Sequence, residues 1–150
     1  MSGDTDLIKL YSGRILALAA DMPCTDRLVD PHATVKKRSP LCGSTITVDV
    51  ILQDGKISEY GQDVKACALG QAAASVVGAH VVGLSRAEIE AARDALKDML
   101  KNDGPAPGAP FEDLEVLRPA RDYKNRHASI MLALEATLEA IDQAEQSACA

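Results

Sequence analysis

The sequence predicts an α+β domain: an N-terminal helix, a small antiparallel sheet of about three strands, and several helices packed against it. Three observations carry this. Residues 45–52 alternate, with Ile46, Val48 and Val50 on one side and Thr45, Thr47 and Asp49 on the other, the period of a half-buried strand. Asp54-Gly55 follows, a dipeptide that readily adopts the left-handed backbone of a tight hairpin. From Cys67 onward the apolar period turns helical and stays so. Strands first and helices after is the α+β order.

Each element follows from its residues. Residues 7–20 carry apolar side chains near helical spacing behind Thr5 and Asp6 as N-caps, with Gly13 as the weak point. Residues 22–31 hold two prolines and read as a loop. The basic stretch 34–38 suits an edge strand, because lysines discourage pairing with a second chain. Residues 56–65 return from the hairpin as the partner strand. The alanine-rich run 67–77 is a helix ending near Gly78. Ser85 and Glu88 form a capping box for a helix reaching about Lys101. The loop 102–110 (its core D-G-P-A-P-G-A-P) excludes regular structure, residues 111–117 give one or two helical turns, and a last helix runs after Pro119 to about Ala144. Its inward face is Ile130, Leu134, Leu138 and Ile141.

The chain has 150 residues, enough for one domain over 1–150 with an ordered part of about 5–145. Hydrophobic residues make up 47%, which supports a packed core, and aromatics only 3%, which leaves no platform for stacking bases. A net charge of −6 removes the basic footprint that nucleic acid requires. No apolar run is long enough to span a bilayer, so a membrane is not expected as partner. The apolar run 15–20 lacks the basic flank of an export signal, which points to the cytoplasm and to thiols kept reduced.

In a reducing setting the cysteines point to metal or thiol chemistry. Cys42 sits on a bent turn between Pro40 and Gly43 at the mouth of the first long strand, and Cys67 stands where the second strand gives way to a helix. A helix N-terminus favours a thiolate, the species that binds metal or accepts sulfur. The hairpin brings both sulfurs to one end of the sheet. His127, near the start of the last helix, is a candidate third ligand. Cys24, Cys149, His32 and His80 match no pattern, and Lys36-Lys37-Arg38 is a solvated edge that adjoins Cys42 and could attract an acidic partner or stabilise a thiolate.

The blocks around these residues resemble those of the U-type iron–sulfur cluster assembly scaffolds (IscU, SufU and the NifU N-terminal domain). S-P-L-C-G-S before the hairpin resembles the first cysteine turn of that family. A-C-A-L-G-Q-A-A-A-S-V-V resembles its second cysteine with a small-residue helix, and V-V-G-L-S-R-A-E-I its next linker. R-H-A-S-I-M-L-A-L-E-A resembles the opening of its C-terminal helix, and L-I-K-L-Y-S-G its N-terminal helix. The resemblance implies a non-enzymatic scaffold. Such a protein takes sulfur from a cysteine desulfurase, binds iron or a labile [2Fe–2S] cluster, and passes it to acceptor proteins. The alternatives are a zinc-binding persulfide acceptor, or a metal-free regulatory protein on the same fold.

Two positions depart from the family pattern. Ser44 stands where the family carries an aspartate, and a hydroxyl is a poor ligand beside a carboxylate. The third cysteine is missing: His127 takes its place, or takes that of a preceding histidine with Ala128 in place of the cysteine. The expected ligands are therefore Cys42, Cys67 and His127, with Ser44 and Asp63 as weak additions and Asp122 as another carboxylate within the chain. A homodimer sharing a cluster would also complete the set.

Overall fold

The computed structural model describes residues 13–40 and 43–149, with side chains followed through 146. The elements are α1 (Gly13–Ala20), β1 (Ala33–Arg38), β2 (Thr45–Gln53), β3 (Lys56–Lys65), α2 (Ala68–His80), α3 (Arg86–Asn102), a 3-10 helix (Glu112–Asp122) and α4 (Lys124–Cys149). This is the predicted α+β layout. The first half of the predicted N-terminal helix, residues 7–12, lies outside the described residues.

The three strands form one antiparallel sheet in the order β1-β2-β3. The hairpin turns at Asp54 and Gly55, with φ of 55° and 78°, the two left-handed residues that a twisted two-residue turn demands. Ile46, Val48 and Val50 are buried on the face covered by α4, where Ile130, Leu134, Leu138 and Ile141 are buried as the helical period predicted. Helix α2 is buried along most of its circumference, between α1 and α4. Its alanines and glycines let neighbouring backbones approach closely enough for that.

The sheet's other face departs from simple polar alternation. Asp49 is 0% exposed, because the segment 26–28 crosses over it. Its carboxylate accepts from Arg27 Nε at 2.5 Å and Nη2 at 3.0 Å, from the Leu28 amide at 3.1 Å and from Thr34 Oγ1 at 2.6 Å. Gly61 pairs opposite Asp49 on β3, and a Cβ there would meet the Asp26 carbonyl oxygen at 2.7 Å. Glycine at 61 makes room for the crossing, and the buried carboxylate ties it down.

Ser85 caps α3 through the predicted capping box with Glu88. The next segment is longer than the one or two turns expected. Phe111, Leu114, Leu117 and Ala120 recur every three residues and are all buried, which matches the three-residue turn of a 3-10 helix. The 3-10 helix therefore continues through Pro119, and α4 begins at Lys124.

Candidate functional site

Cys67 is the N-cap of α2, with extended backbone at φ −66° and ψ 168°. Its Sγ lies 3.6 Å from Ser129 Oγ on α4, and Ser129 Oγ donates to Ser44 Oγ at 2.9 Å. Ser44 immediately precedes β2, and the pairing of Thr45 with Lys65 sets that strand start beside the end of β3, two residues from Cys67. Three chain segments thus converge on one thiol. Ser44 and Ser129 are 3% and 1% exposed, while Cys67 is half-buried. Gly70 makes the convergence possible, since a Cβ there would lie 2.4 Å from Ser129 Oγ.

The turn predicted to present the first cysteine is closed by backbone bonds from Gly43 N to Ser39 O at 3.0 Å and from Ser39 N to Ser44 O at 2.8 Å. Gly43 has φ 69°, a left-handed conformation suited to glycine. Cys42 itself lies outside the described residues.

Burial pushes the Cys67 thiol up, but the hydrogen-bond donors around it outweigh that cost. The Gly70 amide, the Ser129 hydroxyl, the Leu69 amide and the Arg126 side chain together hold it below the ordinary thiol value. Cys67 forms no close side-chain cap; its sulfur instead faces the amides that open α2. These groups favour the thiolate. Burial alone acts on Cys24, whose thiol donates to the Gly78 carbonyl at 3.4 Å and is pushed up.

Of the other expected ligands, His127 has backbone partners and the two carboxylates face solvent. His127 is 9% exposed, with Nε2 at 3.0 Å from the Ala120 carbonyl oxygen and 3.1 Å from that of Arg121. Carbonyl oxygens only accept, so Nε2 carries the proton and Nδ1 is the ring nitrogen left to bind. At roughly 100° per residue, His127 projects from α4 about 200° away from Ser129. Asp63 is exposed on β3 opposite Thr47, near enough for its charge to act on Arg27. Asp122 is 79% exposed beside Arg121. Among the described residues no group of three or more His, Cys, Asp or Glu side chains stands ready for a metal. His32 accepts from the Leu52 amide, and His80 packs edge-on against Phe111.

Sequence reasoning missed Ser129 and Arg126. Their spacing of three residues puts them on one side of α4, and that spacing was the available signal. Imidazole is a better metal ligand than a hydroxyl, so residue type alone points to the histidine between them. The backbone turns the hydroxyl, not the imidazole, toward Cys67.

A three-stranded antiparallel sheet backed by helices, with a half-buried thiol where β3 gives way to α2, is the architecture expected of a U-type iron–sulfur scaffold. Compared with solved structures, the chain is 43% identical to a nitrogen-fixing NifU-like protein (N-terminal) from Brucella abortus, covering 94% of this chain and 98% of that one at a TM-score of 0.91. The chain belongs to this NifU-like, U-type scaffold family, whose members are not enzymes. It also shares its fold with a putative iron–sulfur cluster assembly scaffold protein for the SUF system from Fervidobacterium islandicum, at 16% identity, 89% and 98% coverage and a TM-score of 0.80. No family model matches the sequence, and no curated protein does. No helix among the described residues is long and apolar enough to cross a membrane.

Proposed function

We propose that this chain serves iron–sulfur cluster assembly in the cytoplasm as a sulfur-accepting scaffold, with Cys67 as the acceptor thiol. The donor is a cysteine desulfurase, and iron–sulfur acceptor proteins are the recipients. The observation that carries this reading is the convergence of Ser129, Arg126 and the amides of α2 on the Cys67 sulfur. In the step itself the Cys67 thiolate attacks the outer sulfur of the donor's cysteine persulfide. The donor's S–S bond breaks, its cysteine leaves as thiolate, and Cys67 becomes the persulfide. The Cys67 lone pair makes the new S–S bond and the pair of the old bond leaves with the donor thiolate, so the transferred sulfur keeps its oxidation state and no external oxidant is needed.

Iron, a [2Fe–2S] cluster or zinc as cargo needs more donors than the described part of the site offers. One thiolate and two neutral hydroxyls make a poor soft-metal set. A metal-bound form in this reading uses Cys42 beside Cys67. It draws further ligands from His127 Nδ1 after rearrangement, from a carboxylate such as Asp63, or from a second copy of the chain.

The test is to incubate the protein with a cysteine desulfurase and cysteine, then map added sulfur by mass spectrometry, with iron, zinc and acid-labile sulfide measured on the same anaerobic samples. Sulfur on Cys67, absent in Cys67→Ser, supports the proposal. Iron and sulfide in equal amounts on protein that never carries persulfide would replace it with direct cluster building. Zinc without transferable sulfur, or neither metal nor sulfur, would leave a structural or regulatory role.

A further inference from the structure

Away from the Cys67 site, a cavity of about 660 Å³ opens between the C-terminal half of α3 and the first half of α4. Its floor is Leu100, Ala128 and Met131, with His127 beside them. Its rim carries four cations: Lys97 and Lys101 one helical turn apart on α3, Arg121 at the end of the 3-10 helix, and Lys124 at the start of α4. Glu135, farther along α4, is the acidic residue of the lining. The side chains of Lys97, Lys101 and Lys124 take part in no ion pair or hydrogen bond with any described residue. Arg121 is shared with Asp103 at 2.5 Å.

This concentration of positive charge sits on a chain whose net charge is −6. A solvated surface would intersperse the two signs, and the chain does so elsewhere, as in the pairs of Arg86 with Glu90 and Asp142 and of Lys37 with Glu139. The lysines here leave their charge unspent over an apolar floor. A lone phosphate would fill little of the volume and ignore the floor. Nucleic acid would meet the repulsion of the rest of the surface and find no aromatic platform.

We propose that this groove docks an acidic peptide segment of a partner protein, with an apolar side chain seated on Leu100 and Met131 and its carboxylates paired to Lys97, Lys101 and Lys124. Ala128 supplies the depth, because a larger side chain there would raise the floor. The α4 N-terminus adds its positive end to the same rim. The groove lies on a different side of α4 from Ser129, so a docked segment leaves Cys67 free. An acidic tether of this kind raises encounter rate and fixes orientation.

The probe is a fluorescein-labelled peptide of repeated Glu-Leu-Asp, followed by polarisation at low and physiological salt, with a Gln-Leu-Asn peptide as neutral control. Binding to the native protein should weaken with salt and fall about tenfold or more in the triple variant Lys97→Glu, Lys101→Glu, Lys124→Glu. The same charge change placed elsewhere, Arg14→Glu, Lys56→Glu, Lys65→Glu, should leave most of it. Ala128→Leu should weaken binding without any change in charge. Equal loss in the two triple variants would reduce the effect to net charge and overturn the proposal. So would equal binding of the Gln-Leu-Asn peptide, no binding of the acidic peptide at low salt, or displacement by inorganic tripolyphosphate with no effect of Ala128→Leu, which would mark a general anion site.

Discussion

Ser129 on the last helix and Ser44 at the mouth of β2 are joined hydroxyl to hydroxyl at 2.9 Å, across 85 positions of sequence, and the same Ser129 oxygen lies 3.6 Å from the Cys67 sulfur. One hydroxyl therefore ties the start of the hairpin and the start of α2 to α4. It has too few hydrogens to serve both partners as donor. Donation to Ser44 leaves it to accept from a thiol, and donation to a thiolate leaves it to accept from the Ser44 hydroxyl, so the Ser129–Ser44 bond reverses. Charging Cys67 should be coupled to reorientation of this pair.

Removing that hydroxyl should change thiol chemistry more than stability. In Ser129→Ala the Cys67 thiol loses a donor and its pKa rises from its lowered position toward or above the ordinary 9.0. The thiolate fraction at neutral pH then falls, and alkylation by iodoacetamide should slow several-fold, with its pH profile moved to higher pH. An unchanged profile would count against Ser129 as a thiolate donor.

Gly70→Ala tests the same packing from the helix side. Its Cβ would come 2.4 Å from Ser129 Oγ and 2.9 Å from Ala66 Cβ, so α2 and α4 must separate or Ser129 must turn away. We expect a loss of about 1–3 kcal/mol in urea unfolding together with slower alkylation of Cys67. Stability loss without the change in reactivity would show that Ser129 adapts without losing its contact.

His127→Gln should cost about 1 kcal/mol or more by disturbing two carbonyl contacts that join the 3-10 helix to α4. Cys67 alkylation should stay as in the native protein. If metal content falls instead, while stability holds, His127 is a ligand and the carbonyl contacts are secondary.

Asp49 should make stability acid-sensitive. Burial raises its pKa, but Arg27, Thr34 and the Leu28 amide lower it further, so the folded value lies below 3.8. The folded form therefore binds fewer protons than the unfolded chain over that interval. The stabilisation is full above the unfolded pKa and is lost as pH falls through the folded one. Urea midpoints should drop below about pH 4. Asp49→Asn should lower stability at neutral pH by about 2 kcal/mol and flatten this acid limb.

Ser85→Ala removes the capping box of α3 and should cost about 1 kcal/mol with no effect at Cys67. An unchanged urea midpoint would count against the capping box as a stabilising contact.

The sequence by itself determined the local elements, because their signals are local. Alternation at Ile46, Val48 and Val50, the left-handed pair Asp54-Gly55 and the Ser85–Glu88 box each act within a few residues of themselves, and each element lies where they indicate. Cys67 was legible for the same reason: a thiol at a strand-to-helix junction meets helix amides whatever the rest of the chain does. Its partners on α4 were not. Choosing among His127, Ala128 and Ser129 depends on how far α4 is rotated about its axis, and that is set by packing Ile130, Leu134 and Leu138 against the sheet and by the clearance at Gly70. A shift of one residue turns a helix by about 100°, enough to exchange an imidazole for a hydroxyl, and only the packed core fixes that angle.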